Sequence, residues 1–236
     1  ACSDLIEAEG DDAFLTVDCR GRPVKEVLIS IAEHYIAGTP NGILMDPDTA
    51  LVFSPSHYTW MDTNHPAGTP RVGYPVEIQA LWYAALAFLA RIDEDPRWPT
   101  LAAQVRESLQ TLYRLPDRNY LADCLLATPG TKARDATPDN ALRPNQLFAI
   151  TLGAIEDREL ARGILSASER LLIPGAIRSL ADQPVSPPLA IHRDGELLND
   201  PERPFWGHYS GDEDTRRKPA YHNGTAWTWP FPSYCE

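Results

Sequence analysis

Apolar positions recur at helical spacing in five stretches of the chain. Over residues 23–37 they are Val24, Val27, Leu28, Ile31 and Tyr35, three or four apart, as one face of a helix requires. The ring of Pro23 fixes a backbone angle that suits a first helical turn, and Gly38, Pro40 and Gly42 end the segment. Residues 75–92 carry the strongest pattern. Val76, Ile78, Leu81, Ala85, Phe88, Leu89 and Ile92 leave little polar surface, which predicts a deeply buried helix. The pattern returns over 98–115 through Leu101, Val105, Leu109 and Leu112. The short link 93–96 then implies an antiparallel helical hairpin. Residues 144–155 and 157–172 predict a second hairpin, with Leu160, Ile164, Ala167 and Leu171 on one stripe.

The remaining stretches read differently. Residues 1–21 are acidic and weakly periodic. Residues 42–57 read as a loop with one short strand at 50–53, and 120–126 as a short strand or extended segment. Over 174–219 the prolines Pro184, Pro187, Pro188, Pro201 and Pro204 crowd among Gly195, Gly207 and Gly211. The aromatics Phe205, Trp206 and Tyr209 set this stretch apart from disordered composition, so it reads as a long ordered excursion, and loops of such length are usually functional. Helical hairpins joined by aromatic-rich loops predict an all-α toroid in which loops at one end form a site. The whole of 1–236 reads as a single domain.

Charge narrows the partners. With 33 acidic against 21 basic residues the formal net charge is −12, which argues against nucleic acid and against an anionic membrane surface. A neutral polysaccharide makes no demand on charge. Cys2, Cys19, Cys124 and Cys235 stand far apart, with no zinc spacing, and read as free thiols of a cytoplasmic protein. No metal cluster or phosphate loop is visible, so no cofactor is expected. No apolar run is long enough for a membrane span, and no signal peptide is visible. The first residue is not Met, which predicts a processed or excised piece. Oligomeric state is left open.

One loop carries candidate chemistry. Thr59-Trp60-Met61-Asp62 sets an acid after an aromatic, shortly before Thr69-Pro70-Arg71-Val72-Gly73-Tyr74-Pro75-Val76-Glu77 and a helix containing Trp82 and Tyr83. Aromatic faces can hold a pyranose ring, and a carboxyl group can protonate a glycosidic oxygen. Taken alone, an Asp ahead of a helix is most often solvated or a cap. A second landmark is Tyr221-His222-Asn223-Gly224-Thr225-Ala226-Trp227-Thr228-Trp229, and a third is Arg143-Pro144-Asn145-Gln146.

In this order the segments resemble the glucosidase domain of glycogen debranching enzymes, the amylo-alpha-1,6-glucosidase family, in its bacterial form. The likeness spans roughly 23–236. It implies a ring of six helical hairpins, an (α/α)6 toroid. Five long helices and the start of another after Tyr221 would supply only part of that ring. It also implies an inverting hydrolase of α-1,6-linked glucose at branch points of glycogen or a related glucan, with Asp62 as general acid. Eukaryotic relatives continue the Tyr-His motif with Pro-Glu-Trp, whose Glu is the expected base, but here Ala226 stands at that place. Bacterial relatives carry a Glu nine residues after the first Trp of Gly-Thr-Val-Trp-Pro-Trp, and that position is Glu236.

The resemblance places Trp60, Arg71, Glu77, Arg143, Asn145, Arg178, Tyr221, His222 and Trp227 at the substrate. Several have structural readings of equal standing. Glu77 can be a buried partner of Arg71, Asn145 a helix cap, and His222 a hydrogen-bonded structural side chain. The run Asp212-Glu213-Asp214 before Arg216-Arg217-Lys218 reads as a solvated loop with internal ion pairs. Two alternatives stand beside the leading reading. One is a related toroidal glycosidase acting on another glucoside, of trehalase or glucoamylase type. The other is a glucan-binding or inactive fragment.

Overall fold

The computed structural model describes residues 2–62, 69 and 71–236. Among these, α1 (Cys2–Glu9) and α2 (Val24–Ala37) lead into a hairpin of β1 (Leu44–Met45) and β2 (Val52–Phe53). β3 (Gly73–Pro75) runs directly into α3 (Val76–Ile92), which turns into α4 (Arg97–Leu112). β4 (Cys124–Leu126) and β5 (Thr137–Pro138) follow, then α5 (Leu147–Thr151) and α6 (Arg158–Ser168). β6 (Leu172–Ile173), β7 (Ala176–Arg178), β8 (His192–Arg193) and β9 (Glu196–Leu197) come next. α7 (Lys218–Tyr221), β10 (Ala226–Trp227) and α8 (Pro232–Cys235) complete the order.

The expected all-α toroid is therefore overturned. The described residues form a mixed α and β fold with four small antiparallel sheets. The physical reason is the length of the strands. At two or three residues they are too short to show period-two alternation, and they pair within stretches that a sequence pattern registers only as loop. Residues 42–57 hold two strands rather than one.

The helices of the first hairpin keep their predicted places. The connection after α3 opens at Asp93, and Trp98 donates its indole N–H to the Asp93 carboxylate at 2.9 Å. Trp98, Val105, Leu109 and Tyr113 are fully buried against Leu86 and Leu89 of α3. Yet α3 is not buried all round. Leu81 is 53% exposed, and with Ile78, Ala85 and Phe88 it walls an open groove of about 240 Å³ facing α2. The second hairpin is shorter than its pattern. α5 makes little more than one turn before Gly153, whose φ of 77° ends it. α6 is well capped by the Asp157 carboxylate, which accepts from the backbone N–H of Glu159 and Leu160.

Two sheets carry the chemistry. In the first, β4 pairs with both β3 and β5. The ladder runs on past β5, with Asp139 N–H donating to Cys124 O at 2.9 Å and Asp123 N–H to Asp139 O at 3.2 Å. Asp123 and Asp139 thus lie side by side. β3 also carries the chain from Arg71 to Glu77 at the first turn of α3. Gly73 sits at φ 131°, and a Cβ there would lie 2.1 Å from Leu125 O, so only glycine lets these strands meet. In the second sheet, β7 lies between β6 and β10, with Arg178 opposite Ala226 and Ile177 opposite Trp227. Within the excursion 174–219, β8 and β9 form a hairpin. Its acidic run makes ion pairs within the excursion, Arg217 to Glu213, Lys218 to Asp214 and Arg193 to Asp214.

Candidate active site

Four of the side chains proposed for substrate form one hydrogen-bonded system with Asp123, and Arg143 joins it as an ion pair. The Trp60 indole N–H donates to Asn145 Oδ1 at 2.7 Å, and Asn145 Nδ2 donates to Asp123 Oδ1 at 2.7 Å. Asp123 Oδ2 accepts from Arg71 Nε at 2.7 Å. Arg71 then grips Glu77 with both terminal nitrogens, Nη2 to Oε2 at 2.7 Å. Its remaining N–H groups reach Thr59 Oγ1 and Asp123 O. Arg143 approaches the same Asp123 oxygen with Nε at 3.5 Å. Glu77 is the buried counter-ion of Arg71, and the Asn145 side chain caps no helix.

Burial would lower the Arg71 basicity, but Asp123 and Glu77 outweigh it and hold the guanidinium firmly charged. At Arg143 burial wins, and its basicity is lowered although Asp123 and Asp139 stand near. Arg143 spends its terminal nitrogens on Ser179 O, His222 O and Asn223 Oδ1. It thereby ties the Arg-Pro-Asn segment to the Tyr-His-Asn-Gly segment. Its Nε has no hydrogen-bond acceptor.

Above this network stands an aromatic cluster. Trp60 meets His222, Trp227 and Trp229 edge to face, at ring-centroid distances of 5.1, 6.0 and 4.8 Å. His222 stacks on Trp227 at 5.6 Å, and Tyr221 packs edge-on against both. Trp229 also stacks on Phe148 of α5 at 5.7 Å. The His222 ring is buried with no partner for Nδ1. Burial, then the charges of Arg143 and Arg71, push its pKa down to about 3, so the imidazole is neutral at ordinary pH. Gly224 holds φ 139°, where a Cβ would lie 2.9 Å from Trp206 O and from the Phe205 ring. That close approach joins the Tyr-His segment to the excursion. Arg178 lies half-buried with its guanidinium over Phe205 at 5.6 Å, at the flank of the cluster.

The two proposed catalytic carboxylates sit differently. Asp62 follows buried Met61 and is exposed at the edge of the Trp60 cluster. Met61 O accepts from Thr69 Oγ1 at 2.9 Å, which holds the two ends of this loop together. Glu236 is exposed just past α8, which packs on α5.

Asp123 and Asp139 have no place among the residues that sequence patterns single out. A signal exists for the first, a lone acid within the apolar stretch 120–126, which demands a buried partner. Asp139 borders a small cavity of about 30 Å³ together with Thr69, Arg71 and Arg143. Burial and the neighbouring Asp123 raise its pKa to about 6 against the opposing pull of Arg143. Among the described residues, no group of three His, Cys, Asp or Glu side chains is placed to hold a metal ion.

The family comparison covers the whole chain. The amylo-alpha-1,6-glucosidase family matches residues 1–236. The chain belongs to that family. It is accordingly a glycoside-hydrolase-like domain of a family that acts on carbohydrate. No curated protein matches the chain at a significant level. The hydrogen bonds above bring together the segments holding Trp60, Arg71, Arg143, Asn145 and His222. No helix among the described residues is long and apolar enough to cross a membrane.

Proposed function

We propose that the chain hydrolyses α-1,6-linked glucose at branch points of glycogen or a related glucan, with inversion, residues 1–236 belonging to one catalytic domain. Asp62 is the general acid and Glu236 the general base. The observation that carries this reading is the convergence of Trp60, Tyr221, His222, Trp227 and Trp229 into one aromatic surface, two residues from Asp62. Aromatic faces give a sugar ring contact area at little entropic cost. Arg143, Asn145 and Arg178 border that surface. Arg71 and Glu77 act beneath it, fixing Asp123 and through it the Asn145 amide that orients Trp60. The excursion 174–219 flanks the site through Phe205 and Trp206. The four free cysteines suit a reducing cytoplasm.

In the proposed reaction the Asp62 carboxyl gives its proton to the glycosidic oxygen as the C1–O bond breaks. A water attacks C1 from the opposite face and loses a proton to Glu236. In inverting enzymes the two carboxyl groups stand about 6.5–9.5 Å apart to leave room for that water. The test is the anomer released from a branched limit dextrin, followed by proton NMR. Inversion gives β-glucose first. Initial release of α-glucose contradicts it, and so does release from maltose-type linkages alone. The exposure of both Asp62 and Glu236 favours one second reading, a chain that binds branched glucan without cleaving it. Sedimentation of the chain with limit dextrin, with no glucose formed, would select that reading.

A further inference from the structure

Exposed aromatic side chains are concentrated in one part of the molecule. Among the described residues they are Tyr58, Tyr209 and Trp229, at 45, 46 and 46% exposure. Trp229 belongs to the cluster through Trp60, and Tyr58 lies two residues before Trp60. Tyr209 comes from the excursion, far along the chain, yet its ring meets Tyr221 at 5.7 Å with the planes tilted by 51°. Tyr221 in turn packs on Trp227 at 4.9 Å. The other large apolar side chains exposed among these residues are aliphatic. Single exposed apolar residues are ordinary, but a contiguous exposed patch marks a binding surface.

The excursion is anchored on both sides of this ring. Trp206 N–H donates to Asn223 O at 2.5 Å, and the backbone of Gly224 lies against Phe205 and Trp206. Gly207 lets the chain fold back on Phe205, where a Cβ would lie 2.8 Å from the ring. Past Tyr209, the Asp212 carboxylate accepts from the backbone N–H of Asp214 and Thr215.

The neighbouring charges narrow the ligand. Glu213 pairs with Arg217, and Asp214 with Lys218 and Arg193, so these acids offer a cation no unmatched charge. An anion would approach a chain of net charge −12. A pyranose unit is neutral, rests its C–H face on an aromatic ring and keeps its hydroxyls in water. The row of rings from Trp229 through Trp60, Trp227 and Tyr221 to Tyr209 is longer than one pyranose can cover.

Resting on the glucosidase reading, we propose that Tyr209 is the platform for a second glucosyl unit, so that the aromatic surface takes a linear run of α-glucan chain. Trp60 and its immediate neighbours hold one unit, and Tyr209 holds a unit further along the chain. The excursion thereby selects for oligosaccharide over single glucose.

The test is calorimetric titration with glucose, maltose, maltotriose and maltohexaose. In the unaltered chain affinity should rise about tenfold or more from glucose to the longer sugars, as one further stacked ring implies. Tyr209→Ala should lose that gain, and Tyr209→Phe, which keeps the aromatic face, should retain it. Equal affinity for glucose and maltohexaose in the unaltered chain overturns the proposal, as does a failure to bind any of the four. So does a gain undiminished in Tyr209→Ala, or one lost equally in Tyr209→Phe. A fall in glucose affinity as large as that for maltohexaose would show a structural role instead and overturn it too. If Tyr209→Ala does not fold, Tyr209→Leu, which keeps bulk without an aromatic face, decides by the same loss. Absence of glucose release from limit dextrin with the length dependence intact would remove the hydrolysis reading and leave the platform standing. Glucose release with no length dependence would do the reverse.

Discussion

Arg71 and Arg143 are both almost wholly buried, 5% and 2% exposed, and both face Asp123, yet they are built to different ends. Every N–H of Arg71 finds an acceptor, on Glu77, Asp123 or Thr59. Two carboxylates outweigh the burial and keep its charge secure. Arg143 is held mostly by carbonyl oxygens and an amide, its Nε meets Asp123 only as a long ion pair, and burial lowers its basicity. A saturated cation is a fastener. Arg143 is instead a tie between distant segments, since its terminal nitrogens reach His222 O and Asn223 Oδ1.

The largest effect should come from breaking what both arginines share. Asp123→Ala leaves two buried guanidinium groups short of a counter-charge, and removal of one partner of a buried pair costs ~3–5 kcal/mol. Urea unfolding should show that loss, and a change under ~1 kcal/mol would show that Asp123 is not the hinge between the two ends. Gly224→Ala attacks only the Arg143 end, by forcing a side chain onto Trp206 at a left-handed backbone angle. A cost of about 1–3 kcal/mol is expected, with the α3–α4 end unaffected. At the surface, Arg91 pairs with Glu7 across 52% and 63% exposed side chains. Arg91→Ala should move the unfolding midpoint by no more than ~1 kcal/mol allows.

A pH profile sharpens the same comparison by another route. His222 has a folded pKa of about 3 against an ordinary 6.5, so the unfolded chain binds the proton better. Its contribution is present above pH 6.5 and is lost as the pH falls from there toward 3. Asp139 runs the other way. Its folded pKa of about 6 lies above the ordinary 3.8, so its contribution to stability declines as the pH rises from 3.8 through 6. The two slopes oppose each other between pH 4 and 6. Asp139→Asn should therefore expose a steeper acid loss from His222, and His222→Phe a flatter one. Unfolding midpoints read across pH 3–8 would check both signs.

The sequence was most legible where apolar spacing was long and uninterrupted. α2, α3 and α4 lie within a few residues of their patterns, although the α2 stripe is only half-buried and Ile31 is exposed. The mixed α and β architecture was not legible, because β3, β4 and β7 are strands of three residues whose pairing is set by other parts of the chain. Motif likeness gathered Trp60, Arg143, Asn145 and His222, and hydrogen bonds join those segments. Asp139 escaped notice because nothing around it is periodic. Its place is set by a backbone ladder to Asp123 that spans a long loop.

The most direct measurement is glucose release from a branched limit dextrin by the unaltered chain and by Asp62→Asn. The account predicts release by the first and a fall of ~10²–10⁴-fold in the second, with dextrin binding retained, as loss of a general acid requires. A rate in Asp62→Asn equal to that of the unaltered chain would contradict it.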